Sequence, residues 1–309
     1  MSDGVWGDGA HRHRLNGPRA AAILLLAAPI LWPLPAAAQV LYSIARGDNV
    51  LRVIDPATGA TIADDFLIEP PGGTVTGGNG LAKHPSKASL YALVRTSGGF
   101  PTNRTLIEIR PLAGTAQIIG DTGDRFAGLA FDSSGTLYAV TGDGAATPES
   151  LYTLSLTDAT PTFVVSLGNG GDGEAIGFNP NDGFLYHASG VDDGLNPDTR
   201  IFERIDLNSL TVTNIPISGD GYSEITALVF SGNSFFAADT LGPILSSVTD
   251  GGAFSTVGSM DHVSKGLAFS APAPVPALGG WGLAVLVVFL VLTPVASTGW
   301  VRRRARAAR

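Results

Sequence analysis

Cysteine is absent from all 309 residues. That excludes a disulfide framework, a thiol nucleophile and every Cys-ligated metal site. Charge is sparse at 15%, and there are only five His. His84, His187 and His262 show no zinc-ligand spacing, and no Ser sits in a Gly-x-Ser-x-Gly elbow. The Gly-rich stretches "GGNG" and "GNGGDG" lack the Lys and the strand-to-helix setting of a phosphate loop, so they read as turns. No complete catalytic set is left, and binding is favoured over catalysis. What the chain has in quantity is 40 Gly, 20 Pro and 44% hydrophobic residues, a composition suited to a turn-rich all-β protein.

Both ends carry membrane signals. Residues 1–38 read as an export signal: Arg12, Arg14 and Arg19 form a basic region, Ala20 to Leu34 an apolar stretch, and Ala36-Ala37-Ala38 a small-residue cleavage site before Gln39. An uncleaved anchor is the alternative reading. Residues 279–301 form an uncharged apolar span of 23 residues, enough to cross a bilayer core of about 30 Å as a helix. The tail, 302–309, holds Arg302, Arg303, Arg304, Arg306 and Arg309 on the cytoplasmic side. Pro294 would kink that helix without forbidding it. Before it, residues 271–278 make a Pro-rich linker. Val275, Pro276, Leu278, Trp281 and Gly282, with Ala277 and Gly279-Gly280 between them, resemble the IPTL-type C-terminal sorting signal of Gram-negative bacteria. The resemblance implies recognition by a membrane sorting enzyme of the exosortase kind. The protein would be held at the inner membrane with a periplasmic ectodomain, then displayed at the surface or secreted once the signal is processed.

Between these ends lies an ectodomain, residues 39–270, with 11 Lys+Arg against 25 Asp+Glu, a formal charge of −14. Nucleic acid and anionic lipid are poor partners for such a surface, because neither gains by releasing counterions to it. Within it one phrase recurs: "GLAKHPSKASLYAL" (80–93), "GLAFDSSGTLYAV" (128–140) and "AIGFNPNDGFLYHA" (175–188). Related motifs open at Ala227 and Gly266, so the five starts lie 48, 47, 52 and 39 residues apart. Each of the first four is followed by three further short apolar runs separated by Gly, Asn, Asp and Pro turns. Four short strands per unit is the signature of a β-propeller blade. The fifth motif has no strands after it, while "VLYSIARG" near the start has no motif before it. The C-terminal strand is therefore predicted to complete the N-terminal blade and hide the sheet edges. The count is five blades, or six if the 175–227 unit holds an extra hairpin. A string of Ig-like sandwiches would instead need units of about 90–100 residues, each with its own core. Gly128, Phe131, Asp132, Gly135, Leu137 and Tyr138 match best the phrase of exported bacterial propellers of the NHL or YncE-like sort, which the ectodomain resembles in fold. The recurring Phe131, Phe178, Phe230 and Phe269 read as core between blades.

Propellers bind ligands where loops enter the innermost strands, and the polar residues standing just before the motifs are Asn79, Arg125, Glu174, Glu224 and Lys265, with His262 slightly earlier. They form either a ligand site or a solvated plug. Glu174 before its inner strand resembles the arrangement of lactonase-type propellers that hold a divalent ion, with Asn79 and Glu224 as the other oxygen donors. A second calcium possibility lies in the acidic loops 168–174 and 190–200, where Asp192, Asp193, Asn196 and Asp198 stand close in sequence; as plain turns, the same residues serve backbone hydrogen bonds. Apart from calcium, no cofactor is expected. The leading functional expectation is a non-catalytic envelope protein whose loops bind a polysaccharide or protein partner. The alternative is a divalent-metal-dependent hydrolase acting through Glu174 at the channel mouth.

Overall fold

The computed structural model describes residues 39–97, 104–168, 174–192, 194–195, 198–219 and 223–270. The export signal, the sorting motif from Val275 to Gly282, the 279–301 span and the Arg-rich tail lie outside the described residues. Among the described residues no helix is long and apolar enough to cross a membrane.

Five antiparallel sheets of four main strands build the ring. From the axis outward, blade 2 runs Thr74–Lys83, Leu90–Ser97, Thr105–Arg110 and Thr115–Asp121. Blade 3 runs Phe126–Phe131, Leu137–Thr141, Ser150–Leu154 and Pro161–Ser166. Blade 4 runs Ala175–Phe178, Leu185–Ser189, Ile201–Asp206 and Thr211–Asn214. Blade 5 runs Ile225–Ser231, Ser234–Asp239, Ile244–Val248 and Ala253–Ser259. Blade 1 takes its inner strand, Ser264–Ser270, from the far end of the chain and sets it beside Val40–Ala45, Val50–Ile54 and Thr61–Leu67. Val40 stands opposite Ser270 in that closing pair, and Ile44 opposite Gly266.

The 175–227 unit contributes no sixth blade. Part of its extra length goes to Ser218–Gly219, which runs parallel to Ala253–Ser259 along the outer edge of blade 5. In blades 3 and 4 the turn between inner and second strands is set by an Asx residue, Asp132 or Asn179, followed by Gly135 or Gly183, whereas in blade 2 His84 Nδ1 accepts from the turn amides instead. In blade 3 the Asp132 carboxylate accepts from the amides of Ser134 and Thr136, and Gly135 takes φ +92°, where a side chain would be strained.

The core is divided among the blade interfaces. Five buried clusters lie between neighbours, one for each junction; Tyr186, Phe202 and Phe235, for example, pack between blades 4 and 5. A sandwich would bury its core within one unit, whereas here every blade depends on the next. The motif glycines explain how closely the inner strands approach. A Cβ at Gly266 would stand 2.7 Å from the backbone nitrogen of Leu81, and one at Gly128 3.0 Å from that of Ile176. Gly80, Gly128, Ala175, Ala227 and Gly266 thus form a waist, which leaves a cavity of only about 10 Å³, room for at most about one water.

Phe131 is buried, and Phe178, Phe230 and Phe269, half-buried, pack against the clusters between blades as expected; all four also line an open bowl at one end of the channel.

Candidate functional site: the charged mouth of the channel

At the other end of the channel, the inner strands carry a repeated irregularity. Gly78 and Gly80 pair with the adjacent Val94 and Leu93, so Asn79 is an extra residue in its strand. The same β-bulge singles out Ala127, Thr226 and Lys265 in blades 3, 5 and 1. Glu174 holds the equivalent place in blade 4, directly before its inner strand. A bulge re-aims one side chain out of the alternating pattern, and all five of these residues line a cavity of about 320 Å³ at the axis. The five residues singled out from sequence, Asn79, Arg125, Glu174, Glu224 and Lys265, meet there. His262 is not among the lining residues; its Nε2 lies 2.8 Å from Ser43 Oγ and its Nδ1 2.7 Å from Asp261.

Joining them are Arg46, Arg95, Arg104 and Asp143, which a search confined to residues before the motifs does not reach. Charge is divided around the rim. Lys265, Arg46, Arg95, Arg104 and Arg125 come from blades 1 to 3, and Asp143, Glu174 and Glu224 from blades 3 to 5. Five of the ectodomain's 11 cationic side chains therefore converge on one cavity. Lys265 faces Glu224 at 3.7 Å. Among the described residues the four arginines enter no ion pair. Arg95 donates to the carbonyl oxygen of Arg46, and the Nε atoms of Arg95 and Arg104 are buried without partners. Burial and the guanidinium groups of Arg95 and Arg125 push Arg104 down to about 10. The backbone fixes Arg104 in this environment: its carbonyl accepts from the Thr122 amide at 2.9 Å and the Thr122 hydroxyl at 2.8 Å. Arg46 and Arg125 are exposed and Arg95 and Arg104 half-buried; leaving such cations without counter-charge is unfavourable, most for the last two, and an anionic ligand would supply what they lack.

Behind the acidic arc a second set of groups runs into blade 4. Strand register places His187 directly opposite Glu203. Its Nδ1 lies 2.9 Å from Glu203 Oε1, and its Nε2 2.8 Å from Glu174 Oε2. The Ser189 hydroxyl donates to Glu174 Oε1 at 3.0 Å. His187 and Glu203 are fully buried, and the second oxygen of Glu203 has no partner. Burial opposes a charged imidazole, but hydrogen bonds to two carboxylates outweigh it and push His187 up to about 10. Glu174 is also buried, which would raise it, yet the bond to His187 holds it below the usual carboxylate range. Glu149, beside it, is pushed up to about 9 by burial and by sharing a hydrogen bond with Glu174. Its backbone sits at φ +50°, a strained setting for a residue with a side chain.

The acidic loop behaves differently from a calcium site. Asp198 makes a two-pronged contact with Arg200 at 2.8 and 2.9 Å, and Asp192 reaches the same guanidinium at 3.3 Å. Asp193 and Asn196 lie outside the described residues. Among the described residues, one group of three metal-type donors comes together, and it is Glu149, Glu174 and His187.

No protein-family model matches the chain, and no curated protein does. Among solved structures, a chain of a nidogen–laminin complex aligns with TM-score 0.48 and 11% identity, over 75% of this chain and 98% of that one. A structural-genomics protein of unknown function from Bacteroides thetaiotaomicron aligns with TM-score 0.45 and 16% identity, over 72% of this chain and 58% of the other. At these scores neither likeness bears on function, and the five-bladed fold rests on the strand pairing described above.

Proposed function

We propose that the protein is an exported, envelope-anchored binding propeller whose channel mouth takes a carboxylate-bearing ligand presented by a polysaccharide or a protein partner. The observation that carries this reading is the convergence of Arg46, Arg95, Arg104 and Arg125, without ion pairs among the described residues, in a domain of charge −14. Such a surface repels anions at long range and accepts them at one place, which makes the mouth selective for a ligand that reaches inside. Guanidinium groups match carboxylates in fork geometry and are less tightly hydrated than ammonium groups. The envelope location draws on the paired terminal signals in the sequence; deleting residues 279–309 is expected to move the chain from the membrane fraction to the soluble one.

Full-length chain in detergent should bind polygalacturonate and ignore neutral dextran. Raising salt from 50 to 200 mM should weaken the interaction about tenfold, as should the pair Arg95→Gln and Arg104→Gln. Equal binding of both polymers, or of neither, would overturn the proposal.

A second reading, a metal-dependent hydrolase at the same mouth, draws on Glu149, Glu174 and His187 beside the cavity. It requires turnover that is lost on chelation and in Glu174→Gln.

A further inference from the structure

We propose that Glu149, Glu174 and His187 form a divalent-metal site, suited best to zinc, with Glu203 positioning the imidazole from behind. This inference concerns metal binding alone and stands whether or not the mouth turns over a substrate.

Four observations lead to it. First, one donor atom from each residue lies within 4.8 Å of the others. Zinc bound at about 2.0–2.2 Å to each donor would need them somewhat over 3 Å apart, within reach of small side-chain rotations. Second, the imidazole is already aimed. Glu203 holds Nδ1 at 2.9 Å, leaving Nε2 toward the carboxylates; an outer carboxylate behind a ligating His is the usual way to fix its orientation. Third, the buried charge is out of balance. Two ionised carboxylates, Glu174 and Glu203, flank one imidazole with the protonated Glu149 beside them, and among the described residues Glu203 Oε2, on a fully buried side chain, has no partner. A doubly charged cation would offset what the imidazole alone does not. Fourth, Glu174 lines the 320 Å³ cavity, so an ion there would keep one face toward the mouth, and the arginines opposite would stand across that space.

The donor set selects the ion. One nitrogen and two carboxylates suit zinc, whereas calcium asks for six to eight oxygens. On binding, the 2.8 Å hydrogen bond between His187 Nε2 and Glu174 Oε2 and the one between Glu149 and Glu174 would give way to coordination bonds, the imidazole Nε2 proton and the Glu149 carboxyl proton both leaving to solvent.

The test is calorimetric titration of chelator-stripped full-length chain with Zn²⁺ and, separately, Ca²⁺, backed by X-ray absorption at the zinc edge. The expected result is one Zn²⁺ per chain, at least 100-fold tighter than Ca²⁺, with an imidazole nitrogen among the ligands. Glu149→Gln should weaken binding at least tenfold. Glu203→Gln, which removes no ligand, should weaken it by 10- to 100-fold. His11→Gln with His13→Gln should change nothing. Absence of stoichiometric zinc binding, full affinity in Glu149→Gln, or loss of affinity in the His11 and His13 variant would each overturn the proposal. The polygalacturonate assay reads the arginines independently, so either result can fail without the other.

Discussion

The two ends of the channel are built from the same five strands and enclose nearly equal spaces, about 320 Å³ at the mouth and 300 Å³ at the bowl. They differ in chemistry. At the bowl the blades largely repeat one another, four supplying a Phe (Phe131, Phe178, Phe230 and Phe269) and four a Leu (Leu81, Leu129, Leu228 and Leu267), with Lys83 standing in the Phe place of blade 2. At the mouth each blade supplies a different one: Asn79, Ala127, Glu174, Thr226 and Lys265. The change falls at the waist, where a bulge turns one residue of four inner strands to the axis and Glu174 takes the same place just before the fifth. Below the waist the ring must be regular to pack, and above it the blades are released from that demand. Individual character, and with it the capacity to recognise something, gathers where packing stops dictating the residue.

The sharpest way to break this division is at the waist itself. Gly266→Val would drive a side chain against the Leu81 backbone and should cost the ring about 3 kcal/mol or more in chemical denaturation. Gly47→Ala, with no atom within 4 Å, should be close to neutral. Next in size is pH. Glu149 binds its proton more tightly in the fold than in the unfolded chain, and so does His187. The stability these groups confer is therefore full in acid and is lost as pH rises, from about 4.5 through about 9 for Glu149 and from about 6.5 through about 10 for His187. Denaturation midpoints of metal-free protein should fall across that range, and Glu149→Gln should flatten the lower part. At the bowl, Phe178→Ala should cost about 1–2 kcal/mol while leaving polygalacturonate binding unchanged; a loss of binding there would dissolve the distinction between the two ends. The smallest effect runs the other way. Arg104→Gln should raise stability by up to about 1 kcal/mol, since it removes a cation crowded by Arg95 and Arg125, while weakening the ligand.

The fold was legible because its information is periodic. The motif starts, the turns and the orphan strand at each end gave the closure and a count of five, with six left open by the long 175–227 unit until strand pairing settled it. The packing of the repeated Phe between blades was legible too, but not the bowl they line, since a repeated Phe looks the same whether or not one edge faces an opening. At the mouth, proximity to the motif was enough to find Asn79, Arg125, Glu174, Glu224 and Lys265, though not to show that a bulge turns Asn79 and Lys265 to the axis. Arg46 and Arg95 were also within reach: both stand five residues after the Leu that opens the second strand, Leu41 and Leu90. His187 replaces a residue that is Ala92, Ala139 and Ala237 in blades 2, 3 and 5, a departure that aligned repeats would have exposed. Glu149 and Glu203 had no such signal. Glu203 meets His187 through strand pairing within blade 4, and Glu149 joins Glu174 only through the lateral packing of blades 3 and 4, which no local pattern encodes.

The closing strand also decides which way the molecule looks. Gln39 lies on the bowl's rim, its amide oxygen accepting from the Ser231 hydroxyl at 2.7 Å, and Ser270 ends its strand beside Val40. Both flanks thus leave the ring at one rim, like two leads from a single hinge pin. Gln39 and Ser270 mark the aromatic end of the channel as the end where the described chain begins and stops, the arginines standing at the other.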